Sequence, residues 1–126
     1  MTAKRSLLLL IFLFTASTGK AKIDFNHQVR PILSEHCFSC HGLDQQKGGL
    51  RLDLEQSALE GGKSGSPAIS PGNLALSHLI ERITDEGDEK MPPPSQNTAA
   101  PLSPKQIQTL RQWISEGGAY QKHWSY

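Results

Sequence analysis

The sequence of 126 residues has little of the material from which a large hydrophobic core is built. It contains two cysteines and two methionines, and 37% of its residues are hydrophobic. This length excludes large catalytic scaffolds such as the (β/α)₈ barrel or the two-lobed kinase. A domain this small and this lean usually needs a metal, a disulfide or a cofactor to complete its interior.

The sequence also lacks an excess of charge of one sign. The formal net charge is +1, but Lys4, Arg5 and Lys20 lie in an N-terminal segment without acidic residues, which leaves ten of the thirteen basic residues against twelve acidic ones. No basic stripe indicates a nucleic-acid partner. Beyond residue 21 no apolar run is long enough to cross a bilayer. We therefore expect no nucleic-acid binding, and membrane attachment only if the N-terminal segment stays uncleaved.

Residues 1–21 have the order of a secretory signal peptide. Lys4 and Arg5 precede an uninterrupted apolar run over residues 7–14, and small and polar residues follow up to Ala21. A basic segment, a short apolar segment and a small-residue cleavage site are the three parts of such a signal. The sequence therefore predicts export to the periplasm or cell envelope.

Apolar periodicity predicts the first two of three main helices. The first begins near Asp24, is bent by Pro31, and carries its apolar face on Phe25, Val29, Ile32 and Leu33. The second has Asn73 as its predicted N-cap and carries its apolar face on Leu76, Leu79, Ile80 and Ile83. Between them we expect a short extended piece at Leu50, Leu52 and Leu54 and a loop over residues 64–73.

The third helix is specified by its ends. Ser103 is the predicted N-cap, Pro104 takes the first helical position, and Gln106 completes a capping box. Gly117 is placed to end the helix. No convincing sheet is predicted, so the fold class is all-α, with three main helices joined by long loops.

Both cysteines lie in one motif, Cys37-x-x-Cys40-His41. Two thiols at this spacing can reach the two vinyl groups along one porphyrin edge, and the adjacent histidine can turn towards the iron. The motif is a c-type haem attachment signal. A thioredoxin-like redox pair would follow a strand in an α/β pattern, a disulfide closing so small a loop would add little stability, and zinc would need a fourth ligand that no second motif provides.

The second axial ligand of such a haem is sought by elimination. A Met thioether opposite His is one common arrangement, and Met91 is the one methionine outside the signal segment. The prolines at positions 92–94 would keep its strand extended. Among the histidines, His36 is tied to the side of His41, His27 and His78 are expected to be exposed, and His123 in the tail remains an alternative. Gly62-Lys63-Ser64 resembles the end of a phosphate-binding loop but lacks its first glycine, and we interpret it as a flexible turn.

The sequence resembles the planctomycete-type cytochrome c domain, a branch of the monohaem class I cytochromes. The matching segments follow in order at residues 29–33 (VRPIL), 37–42 (CFSCHG), 49–53 (GLRLD), 68–73 (AISPGN), 91–93 (MPP) and 110–119 (LRQWISEGGA). The resemblance implies a cytochrome c fold wrapped around one haem, in which the first and last helices cross and Phe25 meets Trp113. It also implies thioether bonds at Cys37 and Cys40, His41 as proximal ligand and Met91 as distal ligand.

These observations predict a signal peptide over residues 1–21 and a haem-binding domain over residues 22–126. In the family this domain usually heads a longer protein, so residues 120–126 are a candidate linker. We expect one covalent haem c and one-electron transfer to a redox partner or an adjoining domain, without catalysis by the chain itself. Two alternatives stay open: a haem-based redox or gas sensor with a labile distal ligand, and a zinc or dithiol protein without haem.

Overall fold

The computed structural model describes residues 21–96 and 100–123, so the predicted signal peptide lies outside the described residues except for Ala21. Their helices are a π-helical turn at Phe25–Val29, α1 at Arg30–His36, a 3₁₀ turn at Lys47–Gly49, α2 at Glu55–Glu60, α3 at His78–Thr84 and α4 at Pro104–Ser115. Over these residues the chain forms no strand, only an isolated bridge between His41 and Gln46. The all-α prediction is confirmed for this part of the chain.

The first predicted helix is present, and its proline explains an unusual start. The Asp24 side chain accepts a hydrogen bond from the His27 N–H and caps the helix. Pro31 has no N–H and its ring crowds the carbonyl four residues earlier. The turn before it is accordingly widened, and the Arg30 N–H donates to the Phe25 carbonyl, five residues back. All four residues of the predicted apolar face, Phe25, Val29, Ile32 and Leu33, are buried.

The segment between α1 and α3 is mostly loop, as predicted, with one helix that was not predicted. Leu50 and Leu54 have extended backbones and Leu52 is buried, but they form no strand. Glu55–Glu60 then forms α2. This helix buries one side chain, Ala58, so it carries no apolar periodicity by which the sequence could show it.

The predicted start of the second main helix is wrong. α3 begins at His78 with Ser77 as its N-cap, and Leu76 lies outside the helix with 65% of its surface exposed. The Asn73 Oδ1 accepts a hydrogen bond from the Leu76 N–H, so Asn73 caps a preceding turn instead. The Ser77 hydroxyl is buried and donates to the Asn73 carbonyl, which fixes this turn against the helix. Leu79, Ile80 and Ile83 form the buried face as predicted.

The predictions for the third main helix, α4, are confirmed. The Ser103 hydroxyl accepts from the Gln106 N–H, and the Gln106 side chain accepts from the Ser103 N–H, so both halves of the capping box form. Pro104 takes the first helical position, and the helix ends before Gly117, whose φ is 116°. Leu110, Trp113 and Ile114 are its buried residues.

The N-terminal turn and the C-terminal helix meet around three aromatic rings. The ring centroids of Phe25 and Trp113 lie 5.4 Å apart, and the Tyr120 ring lies 4.7 Å from Phe25 and 5.4 Å from Trp113. The contact between Phe25 and Trp113 implied by the family resemblance is therefore present. None of the helices in the described residues is long and apolar enough to cross a membrane.

Candidate functional site

The four residues predicted to form the site all line one cavity. Cys37, Cys40, His41 and Met91 are in its wall, together with apolar side chains of the loops and of α3, among them Leu50, Leu79 and Ile83. Its volume is about 230 Å³. A dry cavity of roughly 150 Å³ already holds a small aromatic molecule, so this space is large enough to be a binding site rather than a packing defect.

The two cysteines follow directly after α1 in a tight turn. The His41 N–H donates to the Cys37 carbonyl at 2.9 Å, and the Cys40 N–H donates to the same carbonyl at 3.2 Å. Both cysteines are free thiols; Cys37 is buried and Cys40 is half-buried. Burial, and then the proximity of Cys40, raises the pKa of the Cys37 thiol to about 12. Cys37 is therefore an uncharged thiol at neutral pH, on a wall of the cavity that is otherwise largely apolar.

His41 is positioned by backbone hydrogen bonds on both sides of the motif. The Leu52 N–H donates to the His41 carbonyl at 2.8 Å, and the Lys47 N–H donates to the Cys40 carbonyl at 2.9 Å. The turn of the motif itself requires glycine at position 42, because a Cβ at this residue would lie 2.3 Å from the Phe38 carbonyl oxygen. The loop at residues 46–52 thus holds the turn of the motif against the cavity.

Burial favours the neutral form of the His41 imidazole. Burial lowers the pKa of His41, and the nearby backbone of Leu50 and Lys47 opposes this shift in part. Nδ1 is nevertheless buried without a hydrogen-bond partner among the described residues. Neutral imidazole is the form of histidine that binds metals, and buried nitrogens without a partner are rare in native proteins.

Met91 lies far from the cysteine motif in sequence and lines the same cavity. Its N–H donates to the Arg82 carbonyl at 3.0 Å, which attaches the segment after α3 to the end of that helix. Met91, Pro92 and Pro93 are half-buried and line the cavity together. Fifty residues separate Met91 from His41 in the chain, so only the tertiary fold brings a thioether and an imidazole to one site.

Two further histidines line the cavity, and one of them corrects the sequence analysis. His78 was expected to be exposed, but its side chain is 28% exposed and faces the cavity. Its Nε2 accepts a hydrogen bond from the Arg82 Nε at 3.1 Å, so that nitrogen is engaged. His36 also lines the cavity; its side chain is 2% exposed and neither ring nitrogen has a hydrogen-bond partner among the described residues. His27 is exposed, as expected.

A tyrosine that the sequence analysis did not single out supports the wall beneath the cavity. The Tyr120 hydroxyl donates to the Leu52 carbonyl at 2.7 Å, and Leu52 lines the cavity. The contact joins residues 68 positions apart in sequence. No local pattern marks such a pair, so only the structure identifies this role of Tyr120.

The residues of the cavity fit a haem. Two thiols and an imidazole from one short motif and a thioether from a different segment line the same cavity, and burial favours the neutral imidazole that can bind a metal. In residues 21–96 and 100–123, no group of three or more His, Cys, Asp and Glu side chains is arranged to hold a metal ion, so the zinc alternative gains no support there.

Comparison with known proteins assigns the central part of the chain. Residues 37–95 match the family of planctomycete cytochrome C. The resemblance predicted from the sequence is thereby confirmed over this segment, which begins at Cys37 and includes Met91. No curated protein and no solved structure matches the chain. A cytochrome c domain indicates haem-based electron transfer, by an electron-transfer module rather than a catalytic enzyme.

Proposed function

We propose that the chain is an exported monohaem cytochrome c that transfers one electron at a time between redox partners. The observation that carries the proposal is the convergence of Cys37, Cys40, His41 and Met91 on one cavity. The haem supplies the redox chemistry when bound, because its iron exchanges one electron between its ferric and ferrous states. The residues of the chain would bind it, exclude water from it and set its potential.

In this proposal Cys37 and Cys40 form thioether bonds to the two vinyl groups. Each bond adds a thiol S–H across a vinyl double bond, so no oxidant is consumed. The N–H groups of Cys40 and His41 both donate to the Cys37 carbonyl, and this tight turn keeps the two cysteines near each other. Burial of Cys37 favours the neutral thiol and places the resulting thioether among apolar neighbours.

His41 and Met91 are the proposed axial ligands. The position of His41 in the cavity wall directly after Cys40, and the burial that lowers the pKa of His41 and so favours the neutral imidazole, support His41 as the proximal ligand. The attachment of Met91 to the end of α3 gives the distal segment a fixed position. A methionine thioether opposite histidine raises the reduction potential, which suits an electron carrier that receives electrons from donors of lower potential.

The signal-like order of residues 1–21 supports export, and the site of action would be the periplasm or cell envelope. The chemistry of covalent haem attachment in bacteria takes place outside the cytoplasm, which agrees with this signal peptide. The partner would be a redox protein or an adjoining domain of a longer chain.

The test replaces Met91 by Leu, which keeps an apolar side chain of similar volume but removes the thioether. We expect M91L to retain covalent haem, to lose the axial methionine signals in proton NMR and to have a lower reduction potential. The matched variants H36A and H78A remove the two other histidines of the cavity and should leave the methionine signals in place. An M91L spectrum and potential identical to the wild type would reject Met91 as the ligand.

Binding of carbon monoxide separates the electron carrier from the sensor alternative. If the Met91 thioether stays bound to the iron in the reduced wild type at neutral pH, the iron has no open coordination position. We therefore expect no carbon monoxide complex. Rapid formation of such a complex would favour a sensor with a labile distal ligand.

A further inference from the structure

The charged side chains that line the cavity are all basic. Lys47, Lys63 and Arg82 contribute to its wall, and no aspartate or glutamate of the described residues does so. The histidines of the cavity are His36, His41 and His78. A cavity that is otherwise largely apolar is therefore edged by three cations, which indicates that its ligand carries negative charge.

Arg82 already has an anionic partner. Its guanidinium forms an ion pair with Glu89, donates to the Glu89 carbonyl and donates to the Nε2 of His78. Lys47 and Lys63 differ, because neither forms an ion pair with a carboxylate among the described residues. Lys47 donates to the neutral Gln96 side chain at 2.9 Å. Within the described part of the chain, two cations at the cavity thus have no carboxylate at ion-pair distance.

The two lysines are brought together in the cavity wall by the packing of two glycine-containing turns. The Lys63 N–H donates to the Gly48 carbonyl at 2.8 Å, which joins the turn at Lys47–Gly49 to the loop after α2. A Cβ at Gly62 would lie 2.2 Å from the Gly48 carbonyl oxygen, so this approach requires glycine. Ser64 and Ser66 of the same loop also line the cavity. The segment that the sequence analysis interpreted as a flexible turn is therefore a built part of the cavity wall.

We propose that Lys47 and Lys63 bind the two carboxylates of the haem propionate side chains. This inference rests on the proposed function. The propionates are the charged side groups of a haem, and the apolar walls at Leu79 and Ile83 cannot compensate them. Ammonium groups form charge-assisted hydrogen bonds with carboxylates, and the hydroxyl groups of Ser64 and Ser66 can add neutral ones.

The test uses the holoprotein and the double variant K47Q/K63Q, with K105Q as the matched control. Lys105 is an exposed residue of α4 that does not line the cavity. Loss of two positive charges beside the propionates stabilises the ferric state, so we expect the reduction equilibrium constant of the double variant to fall about tenfold, which is about 59 mV for one electron. K105Q should leave it almost unchanged. The arginine variant K47R/K63R keeps both charges and should stay close to the wild type.

Infrared spectra of holoprotein carrying isotope-labelled haem carboxylates report on the contact itself. We expect the carboxylate band to shift in K47Q/K63Q and to keep its position in K105Q. A potential and a carboxylate band in the double variant that match those of K105Q would overturn the assignment of the two lysines. A wild type that carries no covalent haem would instead overturn the proposed function, so the two failures are distinguishable.

Discussion

Trp113 provides the strongest test of how α4 and the N-terminal turn at Phe25–Val29 hold the fold together. Its side chain is 3% exposed, packs 5.4 Å from the rings of Phe25 and Tyr120, and donates from Nε1 to the Ala119 carbonyl at 2.9 Å. Full burial of a Trp side chain removes about 200 Å² from water. At about 25 cal/mol per Å² this corresponds to about 5 kcal/mol, which is an upper value because the unfolded chain also buries part of this surface.

We therefore expect W113A to lower the free energy of unfolding by about 3–5 kcal/mol. W113F keeps an aromatic ring beside Phe25 but loses the hydrogen bond to the Ala119 carbonyl. Ala119 is exposed, so its carbonyl can accept a hydrogen bond from water instead. We expect a cost of about 1–2 kcal/mol for this variant. The measurement is guanidinium unfolding of the holoprotein, followed by far-UV circular dichroism.

The control is L76A, because Leu76 is 65% exposed and lies outside the helices. It should change the free energy of unfolding by no more than about 0.5 kcal/mol. A cost for W113A no larger than that of L76A would refute the view that the crossing of the N-terminal turn and α4 holds the fold together.

Two further predictions concern single hydrogen-bonded groups. The Ile23 N–H, and then the Gln112 side chain, lowers the pKa of Glu116 below its ordinary 4.5; its stabilising effect is therefore complete above that pH and is lost as the pH falls through the native pKa. Unfolding at pH 7 and at about pH 3 should show a smaller acid loss for E116Q than for the wild type, and equal losses would contradict this. In a urea titration, S103A should lower the free energy of unfolding by about 1 kcal/mol because it removes one half of the capping box, whereas the control S115A should have little effect; equal effects would count against the cap.

The elements that the sequence predicts well are those specified by local interactions. The start of α4 depends on Ser103 and Gln106, which hydrogen-bond to each other, and on Pro104 at the first helical position between them. Pro31 likewise acts on the turn directly before it. Because both partners of each interaction are close in sequence, their residue types carry enough information to predict the structure.

The elements that the sequence misses depend on hydrogen bonds in irregular loops, which follow no recognisable sequence motif. Asn73 has the residue type of an N-cap, but the buried Ser77 takes that position because its hydroxyl bonds to the Asn73 and Ser70 carbonyls inside the loop. His78 follows from this later helix start and turns towards the cavity. α2 is held by the N–H groups of Ala68 and Ile69, which donate to the Ala58 carbonyl. Contacts of this kind leave no periodic trace in the sequence.

The candidate site also combines residues that a local motif predicts with residues that only contacts across the fold identify. The spacing of Cys37, Cys40 and His41 is a local motif that the sequence displays directly. Met91 was found by elimination among few methionines, and its place in the same cavity depends on the hydrogen bond from its N–H to the carbonyl of Arg82. The roles of Tyr120 and Lys63 depend on contacts with Leu52 and Gly48 across the fold, and only the three-dimensional structure supplies them.

The most direct test of the account is whether the mature protein holds haem covalently through its two cysteines. We predict that protein produced with a haem-attachment system keeps its haem on a denaturing gel, and that mass spectrometry finds one haem bound to the peptide containing Cys37 and Cys40. The variant C37A/C40A should release all haem under the same conditions. A colourless wild-type protein, or one that binds zinc and no iron, would contradict the account.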